Sequence, residues 1–107
     1  MTTGLDRLFA TIAARRGADP SGSYTAGLLA AGMDRCARKF GEEAVETVVA
    51  AVRGDKAALT AESADVLYHL AVVWAAAGIT PEDVYTVLRA REAQSGLAEK
   101  AARGKKP

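Results

Sequence analysis

The stretch Asp34-Arg-Cys-Ala-Arg-Lys-Phe-Gly-Glu-Glu-Ala-Val-Glu-Thr-Val-Val-Ala-Ala-Val-Arg53 decides the fold. Its β-branched residues are embedded among alanine and glutamate and do not alternate with polar residues, so the pattern reads as helix and not as strand. The expected helix starts at Met33 or Asp34, ends at Arg53 and is closed by Gly54. A helix of that length spans about 30 Å. Its predicted apolar stripe is Cys36/Ala37, Phe40, Ala44, Val48, Ala51 and Val52. Gly41 lies inside it at a cost of about 1 kcal/mol relative to alanine, which marks a close approach of a neighbour or ligand.

Working outward, a second helix is predicted from Asp55 or Thr60 to Gly78. Leu67, Leu70, Trp74 and Ala77 make one stripe on it, and Val66 and Val73 make another. A helix apolar on two sides is buried on two sides. The short link to the preceding helix predicts antiparallel packing. The next helix has the clearest start in the chain, with Thr80 as N-cap, Pro81 next, and Glu82 and Asp83 in the first turn. On the N-terminal side, Leu5, Leu8, Phe9 and Ile12 form one stripe of a helix over residues 5–16. Residues 17–22 break it, and Ser23 caps a segment of two turns that runs to Gly32. No period-two segment exceeds four residues, so no sheet is expected. The fold class is all-α: a bundle of four to five helices in one domain, residues 1–96, followed by a loosely ordered basic tail, residues 97–107.

Composition narrows the function. The chain has 107 residues, 14 Lys+Arg against 13 Asp+Glu, and a net charge of +1, which gives no broad field for nucleic acid or an acidic membrane. The longest apolar run, Leu70 to Ile79, is ten residues, well short of the roughly 20 that span a bilayer. No basic segment followed by an apolar core opens the chain, so the expected compartment is the cytoplasm. Cys36 and His69 are each the only residue of their kind, which excludes an internal disulfide and a thiolate zinc site. A short alanine-rich chain buries limited surface, so a homodimer is expected. Leu67, Leu70 and Trp74 would serve the chain's own core, and the stripe around Val66 and Val73 would meet the second copy.

The informative residues are acidic. Glu42, Glu43 and Glu46 sit in the middle of the long helix, and Glu62 and Asp65 near the start of the next. The pattern is Glu43-x-x-Glu46, fifteen residues, then Glu62-x-x-Asp65. Each pair projects from one helix face, and antiparallel packing brings the pairs together. Two carboxylates 4 Å apart repel by about 4 kcal/mol at an effective dielectric of 20, so a convergence of this kind calls for a cation. An all-oxygen set selects Mg²⁺ or Mn²⁺, whereas a di-iron bundle would need Glu-x-x-His. A solvated acidic face is the plainer reading of either pair alone. Lys39, one turn before Glu43, is either its i,i+4 ion-pair partner or a point charge for a phosphate.

The runs Lys39-Phe-Gly-Glu-Glu-Ala-Val-Glu46 and Glu62-Ser-Ala-Asp-Val-Leu-Tyr-His-Leu70 resemble the phosphoribosyl-ATP pyrophosphatase family of histidine biosynthesis, within the wider MazG-like all-α pyrophosphohydrolases. Ser23-Tyr24-Thr25, Tyr68-His69-Leu70, and Asp83-Val84 with Arg89 and Arg91 narrow the resemblance, which covers residues 5–92. Phe40 departs from the usual aliphatic or basic residue and is expected to alter packing only. The resemblance implies Mg²⁺-dependent hydrolysis of 1-(5-phospho-β-D-ribosyl)-ATP to the AMP compound and pyrophosphate, the second step of histidine synthesis. It makes Glu43, Glu46, Glu62 and Asp65 the metal ligands, with Glu42 either backing a ligand or acting as the base for water. It gives Lys39 a phosphate, and leaves Ser23, Tyr24, Thr25, Arg89 and Arg91 for the substrate's other ends. His69 would donate to a ligating carboxylate or satisfy a buried position. The rivals are a MazG-like enzyme for another nucleoside triphosphate and a non-enzymatic helical dimerisation module.

Overall fold

The computed structural model describes residues 3–93, and the expected boundary at residue 96 and the tail beyond it lie outside them. Five helices follow one another: α1 (Gly4–Ala14), α2 (Tyr24–Ala31), α3 (Met33–Arg53), α4 (Lys56–Ala77) and α5 (Pro81–Glu92), with a 3-10 turn at Pro20–Gly22 between the first two. No strand occurs among the described residues. The fold is all-α, as the periodicity predicts.

Local signals account for most boundaries. Thr3 caps α1 in a reciprocal box with Asp6, so the helix starts one residue before the predicted position, and it ends at Ala14, two residues earlier than expected. Ser23 caps α2 through the amide of Ala26. Gly54 ends α3 in the left-handed region at φ 72°, where a Cβ would be strained. The start of α4, which the sequence leaves between Asp55 and Thr60, is fixed by Asp55, whose carboxylate accepts from the amide of Ala58. Thr80 and Asp83 form a second reciprocal box at α5. Among the described residues no atom outside the local helix backbone comes within 4 Å of a Cβ built on Gly41, so this glycine marks no close approach between them.

The two-residue link Gly54-Asp55 folds α4 back along α3, and this is the principal helix pairing. Contacts run in antiparallel order. Thr47 meets the carbonyl of Glu62, and Cys36 packs in the cluster that holds Ala71, Val72 and Ala75. The face that α3 turns inward is therefore Cys36, Phe40, Glu43, Thr47 and Ala50, a four-three spacing in which Cys36 and Ala50 are buried and the other three half-buried. The stripe expected on α3 needs correction beyond Ala44: Val48 is 60 % exposed and Val52 82 % exposed. Polar Glu43 and Thr47 occupy the seam in their place.

On α4 the division into two stripes is also corrected. Leu67, assigned to the chain's own core, is exposed, and Val73, assigned to a second copy, packs against the core cluster. From His69 to Ala75 the helix is buried or half-buried all round. Within the chain its second partner there is α1, with α2 also against it. Ile12 of α1, Leu28 of α2 and Cys36 of α3 converge on Ala71, Val72 and Ala75. The Cys36 thiol donates to the Leu28 carbonyl at 3.2 Å, and burial raises its pKa. That bond ties α2 to the seam.

Because Asp55 caps α4 at the fold's main reversal, Asp55→Ala should cost about 1 kcal/mol. For a domain of this size that lowers the melting temperature by roughly 4–8 °C. Thermal melts followed by circular dichroism check it, and an unchanged midpoint would deny the cap its part in the reversal.

Candidate active site

The seam between α3 and α4 changes character along its length. Toward the Cys36 end it is apolar. Two turns further along α3 it carries Glu43, opposite Glu62 and Asp65 of α4, and one carboxylate oxygen from each of these three lies within 4.8 Å of the others. Glu43 and Glu62 are half-buried, and one oxygen of each is fully enclosed without a hydrogen-bond donor. A buried carboxylate oxygen with no donor is costly. Two of them on acids whose carboxylates converge fit a cation between the helices better than they fit a solvated face.

Glu46 stands at the edge of this group. The adjacent Glu43 carboxylate, close enough to share a proton with it, pushes the Glu46 carboxyl above its ordinary value, with burial and Asp65 adding to the shift. Glu46 also lines a cleft of about 170 Å³ together with Glu62, Arg53 and Asp55. Sequence reasoning overlooked Thr47 and Arg53. The Thr47 hydroxyl divides its donation between the carbonyls of Glu43 at 2.8 Å and Glu62 at 3.3 Å, pinning the two acidic turns together. Arg53, seven residues after Glu46 and so on the same face, brings a cation to the cleft; that spacing was the available signal.

The remaining candidates divide into two groups. Lys39 pairs with Glu42 at 3.1 Å, an i,i+3 contact and not the expected i,i+4 pairing with Glu43, and this partner raises its pKa. His69 is buried, one turn beyond Asp65, and its Nδ1 has no hydrogen-bond partner. Burial, reinforced by Lys39, lowers its pKa, against the pull of Asp65 and Glu42. Thr25 bonds through its hydroxyl to the Tyr68 hydroxyl, Ser23 is spent on capping α2, and Tyr24 lies over Tyr68 and His69. These residues gather at the α2 end of the acidic group. Arg89 and Arg91 do not. Arg89 is engaged by Glu82 at 2.6 Å on its own helix, and Arg91 lines a groove on α5 with Val84, Val87 and Leu88. That helix packs on α1, away from the seam.

The raised pKa of Glu46 makes a pH prediction. The folded protein holds this proton more tightly than the unfolded chain, so the contribution of Glu46 to stability falls as pH rises from about 4.5 through its folded pKa. Without metal, Glu46→Gln should therefore melt higher than the wild type at pH 7.5 and close to it at pH 4. Saturating Mg²⁺ should shrink the difference at pH 7.5. A gap independent of pH would mean that Glu46 is not strained by its neighbours.

Comparison with known proteins bears directly on this arrangement. The family model described as phosphoribosyl-ATP pyrophosphohydrolase matches residues 5–92, which take in the five helices but for the first residue of α1, and the whole acidic group. A phosphoribosyl-ATP pyrophosphatase of Cereibacter sphaeroides is 61 % identical over 102 residues, covering 95 % of this chain and 99 % of that protein. The proteins of the same name from Parvibaculum lavamentivorans and Azospirillum brasilense are 61 % and 62 % identical, covering 95 % and 92 % of this chain and 94 % and 89 % of their own lengths. At that identity over nearly the full length of both partners, the chain belongs to the phosphoribosyl-ATP pyrophosphohydrolase family.

Proposed function

We propose that the protein hydrolyses 1-(5-phospho-β-D-ribosyl)-ATP to 1-(5-phospho-β-D-ribosyl)-AMP and pyrophosphate, a cytoplasmic step of histidine biosynthesis. The observation that carries this reading is the trio Glu43, Glu62 and Asp65, two of whose oxygens are buried without a donor. An oxygen-only set of this charge suits Mg²⁺, with Mn²⁺ as the alternative, held by Glu43, Glu62 and Asp65 with Glu46 at the edge. When bound, Mg²⁺ supplies positive charge to the phosphate oxygens and to the leaving pyrophosphate.

The chain's own groups do the rest. Lys39 exchanges Glu42 for a phosphate oxygen, and its ammonium offsets charge along the triphosphate. That exchange frees the Glu42 carboxylate, which then takes a proton from the attacking water. The bridging P–O bond breaks as the new one forms, and pyrophosphate leaves. Thr47 keeps the two acidic turns in register throughout. A product assay with phosphoribosyl-ATP beside ATP tests the reading. Asp65→Asn and Glu46→Gln should each lose about 100-fold or more in kcat, and Lys39→Met should impair turnover without changing helix content. Preferred hydrolysis of ATP would favour the other nucleoside triphosphate reading. Full activity of both amide variants at saturating Mg²⁺ would sink the metal assignment.

The active form in this reading is a homodimer. Val45, Val48, Val49 and Val52 make one exposed stripe on α3, and Leu67 is exposed on α4. A monomer has little reason to present four valines at helical spacing to water, and a second copy covers such a face in a two-fold contact. Arg89 or Arg91 would then reach the substrate from the second chain. Sedimentation equilibrium should give a dimer for the wild type and a lighter species for Val48→Glu. A wild type that remains an 11.1 kDa monomer while soluble and active contradicts it.

A further inference from the structure

One surface beside the acidic group has no part in the chemistry above. Tyr24, the first residue of α2, is 59 % exposed although it is a large aromatic. Its ring lies 6.5 Å from that of Tyr68 at an interplanar angle of 23°, and it meets the edge of His69 at 6.3 Å. Tyr68 and His69 in turn pack edge to face at 4.9 Å. The three rings therefore form one block whose outer member is open to solvent.

The block is held firmly. Tyr68 is half-buried in α4 and joined through its hydroxyl to Thr25, the neighbour of Tyr24, while His69 is buried. A tyrosine needed only for packing would turn its ring inward, whereas this one is backed by aromatics and left open. Its position relative to the carboxylates is also fixed. Tyr68 and His69 follow Asp65 by three and four residues, so they leave α4 on the same side as Asp65, one turn along. Lys39 precedes Glu43 by one turn on the antiparallel neighbour and pairs there with Glu42. One turn beyond the acidic trio along the two helices the chain thus offers a lysine on α3 and, on α4, the two rings that back Tyr24. A nucleotide presents the matching order of phosphates, sugar and planar base.

We infer that Tyr24 is the platform on which the planar base of the substrate stacks, with Tyr68 and His69 as its backing. The inference rests on the proposed nucleotide chemistry of the acidic group and adds the residue that recognises the other end of the molecule. Stacking of a base on an aromatic side chain is worth about 1–3 kcal/mol, equivalent to roughly a 5- to 150-fold change in affinity. It needs the ring and not the hydroxyl.

The test compares wild type, Tyr24→Phe and Tyr24→Leu in two measurements. Calorimetry with Mg²⁺ gives the affinities for ATP and for inorganic tripolyphosphate, which has no base, and steady-state kinetics gives KM and kcat for phosphoribosyl-ATP. Tyr24→Leu should weaken ATP binding and raise KM about tenfold or more, with kcat little changed and tripolyphosphate binding unaltered. Tyr24→Phe should stay within about threefold of wild type on every measure. Equal weakening of ATP and tripolyphosphate by Tyr24→Leu, or a loss in Tyr24→Phe as large as that in Tyr24→Leu, would overturn the inference. A wild type that binds ATP through Tyr24 but does not turn over phosphoribosyl-ATP would remove the reaction and keep the platform. Turnover with unchanged constants in Tyr24→Leu would remove the platform and keep the reaction.

Discussion

The packing of α4 against α3 across a two-residue link sets a constraint on every other part of the molecule. Gly54 can take its left-handed conformation at no steric cost, and Asp55 immediately starts the next helix, so the two longest helices must lie side by side from that point on. The apolar end of their seam collects α1 and α2 into the core. The other end receives carboxylates from both helices. A bundle built only for stability would fill that end with leucine or valine. Here four valines of α3 point to solvent, while Glu43 of α3 and Glu62 of α4 are half-buried at the seam. That inversion is a local cost, and a cation held there, as proposed, would offset it.

The same inversion explains what could be read from the sequence. Helix limits were legible because they depend on short-range chemistry: Ser23, Thr80 and Gly54 act at the positions where their residue types predict. The meeting of Glu43 with Glu62 and Asp65 was legible too, since it follows from spacing and a short link. The inward faces were not. Apolar content alone marks Val48 and Val52 as the inward face of α3 and gives no reason to choose Thr47, yet both valines are exposed and Thr47 sits in the seam. On α4 the apolar residues lie nearly all round, and periodicity alone cannot tell which neighbour covers which stripe. The contacts of α1 and α2 decide that, and they are long-range.

Side-chain pairing was the least legible level. Lys39 has acidic neighbours at both i+3 and i+4, and helix geometry allows either; it takes Glu42 and leaves Glu43 to the seam. That choice keeps the ammonium next to the acids without neutralising the inner trio. His69 is buried among aromatics, with one ring nitrogen unpartnered, in place of bonding a carboxylate. Its neighbours Tyr68 and Thr25 are joined across 43 residues of sequence, a link no local pattern announces.

In the proposed function the seam acids hold a divalent cation between α3 and α4. Titration of the metal-free protein with Mn²⁺, followed by electron paramagnetic resonance of the free ion, measures this without substrate or turnover. Saturable binding is expected of the wild type, with at least tenfold weaker binding by Glu62→Gln, whose fold the neutral amide leaves intact. Absence of saturable binding at millimolar Mn²⁺, or equal affinity in Glu62→Gln, would contradict it.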